Sequence, residues 1–129
     1  DILTDFHPWM KSVWFPADTA LLTLAKAAAE KRPPEYPVHF GRMVTGEAFI
    51  TDEGRQSINA RFAPLTVDME TAAVAHVCHV NGVPFLAIRT VTDTADHSGT
   101  GNFELNCEKA SAIAKDFTLA LLEEMKARA

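Results

Sequence analysis

The sequence predicts an α/β fold with parallel strands, on three observations. A strand–helix–strand run spans residues 63–91, and a crossover through a helix makes its two strands parallel. The second of these strands, Phe85-Leu86-Ala87-Ile88 and on to Val91, is almost continuously apolar between turn signals, the pattern of a strand buried on both faces. A long amphipathic segment, 104–127, supplies a helix with one dry stripe to lay on the sheet.

The elements follow in order. Residues 1–17 read as irregular, with Phe6, Trp9, Trp14 and Phe15 set among Pro8 and Pro16. So many large rings need a cover, from the chain's own core or from a neighbouring subunit. Residues 18–31 read as a helix: Asp18 is its N-cap, Leu21, Leu24, Ala25 and Ala28 form one apolar stripe, and Pro33-Pro34 stops it. Residues 37–45 read as a strand. Thr51 caps a short helix with Asp52 and Glu53 in its first turn, where the helix dipole favours negative charge. A short strand, 63–68, runs into a helix, 69–81, whose small side chains let it lie close on a sheet. Asn81-Gly82 ends that helix, because glycine accepts a left-handed backbone at little cost. A polar, glycine-containing loop covers 94–103. In 104–127, Ala110, Ile113, Ala114, Phe117, Leu121 and Met125 form the buried stripe, and Glu108, Lys115, Glu123 and Lys126 the wet face.

Hydrophobic residues make up 47% and charged residues 22% of the chain, which fits one folded domain over 1–129 rather than a disordered segment. The net charge of −5, with no basic cluster, disfavours nucleic acid and anionic membrane surfaces as partners and suits a small ligand. No apolar run approaches the ~20 residues of a membrane span, and the start carries no signal-peptide pattern, so the expected location is the cytoplasm. Cys78 and Cys107 are too few for a disulfide framework and are expected as buried free thiols. His76 and His79, with Cys78 between them, lack the i, i+4 spacing and the Glu of a zinc-protease helix. They read as helix-surface residues, and no metal or other cofactor is expected. Ser98-Gly99-Thr100-Gly101 reads as a flexible lid, since no strand–loop–helix frame makes it a phosphate cradle.

In parallel α/β sheets, ligands bind beyond the carboxyl ends of the strands. Here one strand runs out into Asp68-Met69-Glu70 and the other into Thr92-Asp93-Thr94. Adjacent strands would bring these carboxylates within roughly 5 Å along the sheet edge. Such crowding is unfavourable unless a ligand, a cation or a proton relieves it. The pattern leaves open the plainer alternative, in which Glu70 is a helix-start residue and Asp93 a loop residue in water.

Val67-Asp68-Met69-Glu70-Thr71-Ala72-Ala73 resembles the "V-E-M-E-x-A-A" segment of the purine nucleoside phosphorylase and nucleosidase superfamily. Ala75-His76-Val77-Cys78-His79, Val83-Pro84-Phe85 and Ile88-Arg89-Thr90-Val91-Thr92-Asp93 continue it at the expected spacing, and Gly46-Glu47-Ala48-Phe49-Ile50 resembles "G-D-A-F-I". The likeness is good over 41–103, fair beyond and poor over 1–17, and comes nearest to the methylthioadenosine/S-adenosylhomocysteine nucleosidases. It implies the C-terminal half of a three-layer α/β/α fold with a central, largely parallel or mixed sheet. The family's chain is nearly twice as long, and its first half supplies the first strands, an anion or water site and the Glu that activates water. The expectation is therefore of a piece that is stable only with its missing half, with another copy or as a cut chain that stays associated, that is active only with that half, that takes a small nucleoside as substrate and that assembles as a homodimer.

The resemblance also implies roles. Phe49 stacks on the purine and the Ile50 backbone bonds its edge. Met69 packs on the ribose, and Glu70 accepts its hydroxyls, with Asp68 beside them in the substrate site. Asp93 protonates N7 of the departing adenine, steadied by Thr92; Arg89 helps hold the attacking water; Phe103 closes over the base or the 5′ side. Phe6, Pro8 and Trp9 reach toward a partner's site. Asp68, Thr92 and Glu47 depart from the family's usual Glu, Ser and Asp, and the shorter Asp68 turns a direct contact into a water-mediated one. Protonating N7 makes adenine a neutral leaving group, which is general acid catalysis, and burial with nearby carboxylates would keep a proton on Asp93. Three functions follow: hydrolysis of an adenosine derivative, phosphorolysis of a purine nucleoside, or a non-catalytic nucleoside-binding remnant. A uridine phosphorylase fits poorly, having no use for an acid aimed at purine N7.

Overall fold

The computed structural model describes residues 12–31, 36–50, 52–92 and 100–128, with only the backbone at 52, 53 and 100–105. The chain runs α1 (Thr19–Glu30), β1 (Met43–Thr45), α2 (Asp52–Phe62), β2 (Thr66–Asp68), α3 (Thr71–Val80) and α4 (Thr100–Ala127). β1 and β2 form a two-stranded parallel sheet in the register Met43 to Thr66, Val44 to Val67 and Thr45 to Asp68. The class is α/β, as the sequence predicts.

Helix α1 begins where the cap places it. The Asp18 carboxylate accepts the Leu21 amide at 2.9 Å, satisfying one of the unpaired donors at the helix start. Its Ala25 and Ala28 face Phe117 and Leu121 of α4, and these four make the buried cluster. Alanine on one side lets the larger side chains of the other approach closely, as dense core packing requires. Leu86 and Ile88 pack against the same cluster, and Lys31 pairs with Glu124 at its edge.

Six expectations need correction. The strand read over 37–45 is ordered only as Met43–Thr45. Pro37 has no amide to give a ladder, and the side chain of Leu65 lies where a Cβ on Gly41 would collide with it. The strand read over 63–68 starts at Thr66, because Ala63 ends α2 in the left-handed region at φ 44° and its amide returns to the Asn59 carbonyl at 3.0 Å. Pro64 then follows without a donor. The apolar run 85–91 is not a strand: residues 83–92 carry no regular structure. Its apolar side chains Leu86 and Ile88 pack half-buried against the core without a ladder partner, and the parallel pair is instead β1–β2, joined through α2. Helix α4 starts at Thr100 rather than 104, so Thr100–Phe103 belongs to the helix and not to a loop. Cys107 is exposed and Cys78 only half-buried, and Met125 is 39% exposed, so the dry stripe of α4 is narrower than its periodicity.

Elsewhere the local chemistry matches. Asn81 caps α3 and Gly82 adopts φ +65°. Trp14 meets the edge of Phe62 at 6.2 Å, and Phe15 stacks on His76 at 5.4 Å and meets His79 at 5.7 Å, so the chain's own helices cover part of the aromatic N-terminal segment. The Thr51 cap, Pro33-Pro34 and the residues before Ser12 lie outside the described residues.

Candidate functional site

The register of the parallel pair decides what meets at the sheet edge. Thr45 lies opposite Asp68, so both strands stop level, and the Gly46 amide still reaches the Asp68 carbonyl at 2.9 Å. Helix α3 starts three residues past that edge, at Thr71. Its N-cap position, Glu70, makes no side-chain cap. Asp68 takes that part: Oδ1 accepts the amides of Thr71 at 3.1 Å and Glu70 at 3.3 Å. A carboxylate at a helix start answers both the free amides and the dipole.

Two hydroxyls and one cation complete the cluster. Thr45 donates to Asp68 Oδ1 at 2.7 Å and accepts the Ala72 amide at 2.9 Å, tying β1 to α3. Thr71 donates to Asp68 Oδ2 and accepts from Arg89 Nε at 3.2 Å and Nη2 at 3.0 Å. Arg89 also pairs with Asp68 Oδ2 through Nε at 3.2 Å and with Glu70 Oε2 through Nη2 at 3.0 Å. The crowding of carboxylates expected at this edge is thus relieved by a guanidinium forked between two of them. Partial burial pushes the Asp68 carboxyl up, but the hydroxyl of Thr71, the hydroxyl of Thr45, the Thr71 amide and the charge of Arg89 together hold it below 3.8.

The two carboxylates differ in what they can do. The Asp68 side chain is 11% exposed and both oxygens are engaged within the protein, whereas that of Glu70 is 64% exposed. The Glu70 contacts among the described residues, to Arg89 and to the Met69 amide, all fall on Oε2. A trough of about 1630 Å³ adjoins the cluster, lined at this end by Thr45, Glu47, Met69, Thr71 and Arg89 and running on past Val44, Phe85, Ile88 and Phe117. It exceeds the roughly 300–1,000 Å³ of most small-ligand pockets.

Of the residues singled out from sequence, the structure brings Asp68, Met69, Glu70 and Arg89 together. Phe49, 45% exposed, and Ile50, half-buried, sit on the segment leaving the same end of β1, outside the trough lining. Thr92 is half-buried, and its carbonyl accepts the Asn106 side chain at 3.0 Å. Asp93 and the Phe103 side chain lie outside the described residues. Sequence reasoning missed Thr45 and Thr71. The one available signal was position: each is a hydroxyl residue beside a motif, Thr45 before Gly46 and Thr71 after Glu70. It also gave Arg89 to water and overlooked it as the counter-ion of Asp68 and Glu70. Among the described residues no group of three His, Cys, Asp or Glu side chains could hold a metal ion, and no helix is long and apolar enough to cross a membrane.

Comparison with known proteins fits this arrangement of strand ends. The family model of the phosphorylase superfamily matches residues 3–123, and the chain belongs to that superfamily. It is 36% identical over 114 residues to the 5′-methylthioadenosine/S-adenosylhomocysteine nucleosidase of Actinobacillus succinogenes, covering 87% of this chain and 49% of the relative. The corresponding nucleosidase of Bacillus cereus matches with the same identity and coverage. Among solved structures, futalosine hydrolase of Helicobacter pylori superposes with a TM-score of 0.81 at 26% identity, covering 95% of this chain and 54% of that one. A Borrelia burgdorferi protein assigned to the methylthioadenosine/S-adenosylhomocysteine nucleosidases, bound to adenine, gives 0.79 at 26% identity, over 94% and 54%. The chain spans about half the length of the curated relatives it matches.

Proposed function

We propose that this chain carries the sugar-binding and leaving-group-activating part of an enzyme that hydrolyses the N-glycosidic bond of an adenosine derivative, releasing adenine. The observation that carries the reading is Glu70: an exposed carboxylate whose bonds among the described residues, from Arg89 and the Met69 amide, fall on one oxygen, at the carboxyl end of a parallel strand. A charged acceptor fixed in this way suits the vicinal hydroxyls of a ribose. Similarity to nucleosidases over 87% of the chain points the same way.

The chemistry runs as follows. Water oxygen bonds to C1′ as the C1′–N9 bond breaks, and the electron pair passes into the purine. Asp93 gives its proton to N7, so neutral adenine leaves. The water's proton goes to a base in the part of the family fold that precedes these segments. Glu70 holds the ribose hydroxyls as positive charge grows on the sugar, Met69 packs on the sugar face, and Phe49 and the Ile50 backbone take the base. Thr92 orients Asp93, Arg89 orients water as well as Glu70, and Phe103 closes the site. Asp68 acts in this scheme through Glu70 and Arg89, its own oxygens being taken up inside the protein.

The rest of the family fold is needed to complete this site. Among the described residues, large apolar side chains such as Leu65 at 57% and Val91 at 56% stand exposed. The trough is the face that a further half, or the second subunit of a dimer, covers.

The test is product analysis with methylthioadenosine. The complete natural gene product is expected to release adenine and free sugar without phosphate, and residues 1–129 alone to release none. Sugar 1-phosphate formed only in the presence of phosphate would make the enzyme a phosphorylase instead.

A further inference from the structure

The Asp68 cluster contains two hydroxyls whose directions are fixed by their partners. Thr71 lies between a carboxylate, which only accepts, and a guanidinium, which only donates; its single proton therefore goes to Asp68 and its lone pairs face Arg89. Thr45 lies between the Ala72 amide and the same Asp68, and its proton is fixed by the same reasoning. A continuous chain of bonds runs from the helix amide through Thr45, Asp68 and Thr71 to Arg89, and from Arg89 to Glu70.

We propose that Thr71 and Thr45 are positioning residues that set the rotamer of Glu70 for ribose, Thr71 by holding the Arg89 fork and Thr45 by holding Asp68 against the start of α3. Glu70 sits on an exposed turn with no cap bond of its own. Among the described residues its side chain is held through Oε2, by Arg89 and the Met69 amide. Without the Thr71 hydroxyl, Arg89 keeps its pairs with Asp68 and Glu70 but loses the acceptor that Nε and Nη2 share. A less firmly held guanidinium shifts between the two carboxylates, and Glu70 then samples rotamers that do not meet the sugar. Neither hydroxyl touches the ligand in this account. The effect is confined to the sugar and spares the base, whose binding residues, Phe49 and Ile50, lie outside this cluster.

This inference rests on Glu70 as the ribose acceptor, and the test separates the two. In the complete natural gene product, Thr71→Val keeps the side-chain shape and removes the hydroxyl's bonds to Asp68 and Arg89. Affinity is measured for a C-nucleoside analogue of adenosine, whose base–sugar bond resists hydrolysis, and for adenine alone. The expected result is about a tenfold loss for the C-nucleoside, of the order that loss of a hydrogen bond to a charged group produces. Adenine affinity stays within about twofold, and Thr71→Ser restores the C-nucleoside. Thr45→Val reads the same way should Thr71→Val not fold. Equal losses for both ligands, or none for the C-nucleoside, would overturn the proposal. Glu70→Gln supplies the control: if it weakens the C-nucleoside and neither valine variant does, only the positioning role falls. If Glu70→Gln itself has no effect, the ribose reading falls and takes this inference with it.

Discussion

At the scale of single residues, Asp68 shows how a motif position changes its work when its neighbours change. The resemblance implied a substrate-side contact lengthened through water. The structure surrounds the shorter side chain with hydroxyls and amides of its own chain. Those bonds are invisible in the sequence, because Thr45 and Asp68 are 23 positions apart and meet only once β1 and β2 pair in parallel. That Met69, Glu70 and Arg89 lie close together was legible from the motif segments, although not the ion pairs of Arg89 with Asp68 and Glu70.

A pH dependence follows from Asp68. Its folded-state pKa is lowered, so its stabilising contribution is complete above the unfolded value of 3.8 and is lost as pH falls through the folded value. Asp68→Asn should cost about 1–3 kcal/mol near neutral pH, through weakened bonds to formerly charged oxygens. Denaturant titrations of both proteins across acidic pH should show that gap shrinking below 3.8. A gap independent of pH would mean that the charge on Asp68 contributes nothing to the fold.

At the scale of elements, the signals that act locally were read correctly. Asp18 caps α1, Gly82 follows α3 with positive φ, and Ala25 and Ala28 face the core. Strand identity was less legible. Residues 85–91 are more apolar than the observed strand Thr66–Asp68, and apolar character alone does not say which segments exchange backbone hydrogen bonds. The start of α4 was hidden for another reason: Gly99 and Gly101 signal a loop, while the helix already runs from Thr100.

One strand residue carries an avoidable cost. The Thr66 hydroxyl is buried and has no hydrogen-bond partner among the described residues. An unsatisfied buried hydroxyl is destabilising, and valine has nearly the same shape with a better fit to a strand. Thr66→Val should therefore raise stability by about 1 kcal/mol. Thermal unfolding measures it, and a lowered midpoint would show that the hydroxyl is satisfied after all.

For the whole molecule, the proposed site lies at the carboxyl ends of the parallel pair, beside a trough larger than most small-ligand pockets. On the reading proposed above, another part of the family fold covers that trough; the chain spans about half the length of each relative. The division of labour proposed for it places ribose binding on Glu70 and proton delivery on Asp93. The most direct test is adenine release from methylthioadenosine, without phosphate, by the complete natural gene product and its Asp93→Asn variant. A general acid contributes about 10²–10⁴-fold, so turnover should fall by at least about a hundredfold while nucleoside binding persists. Near-normal turnover in Asp93→Asn would contradict the account.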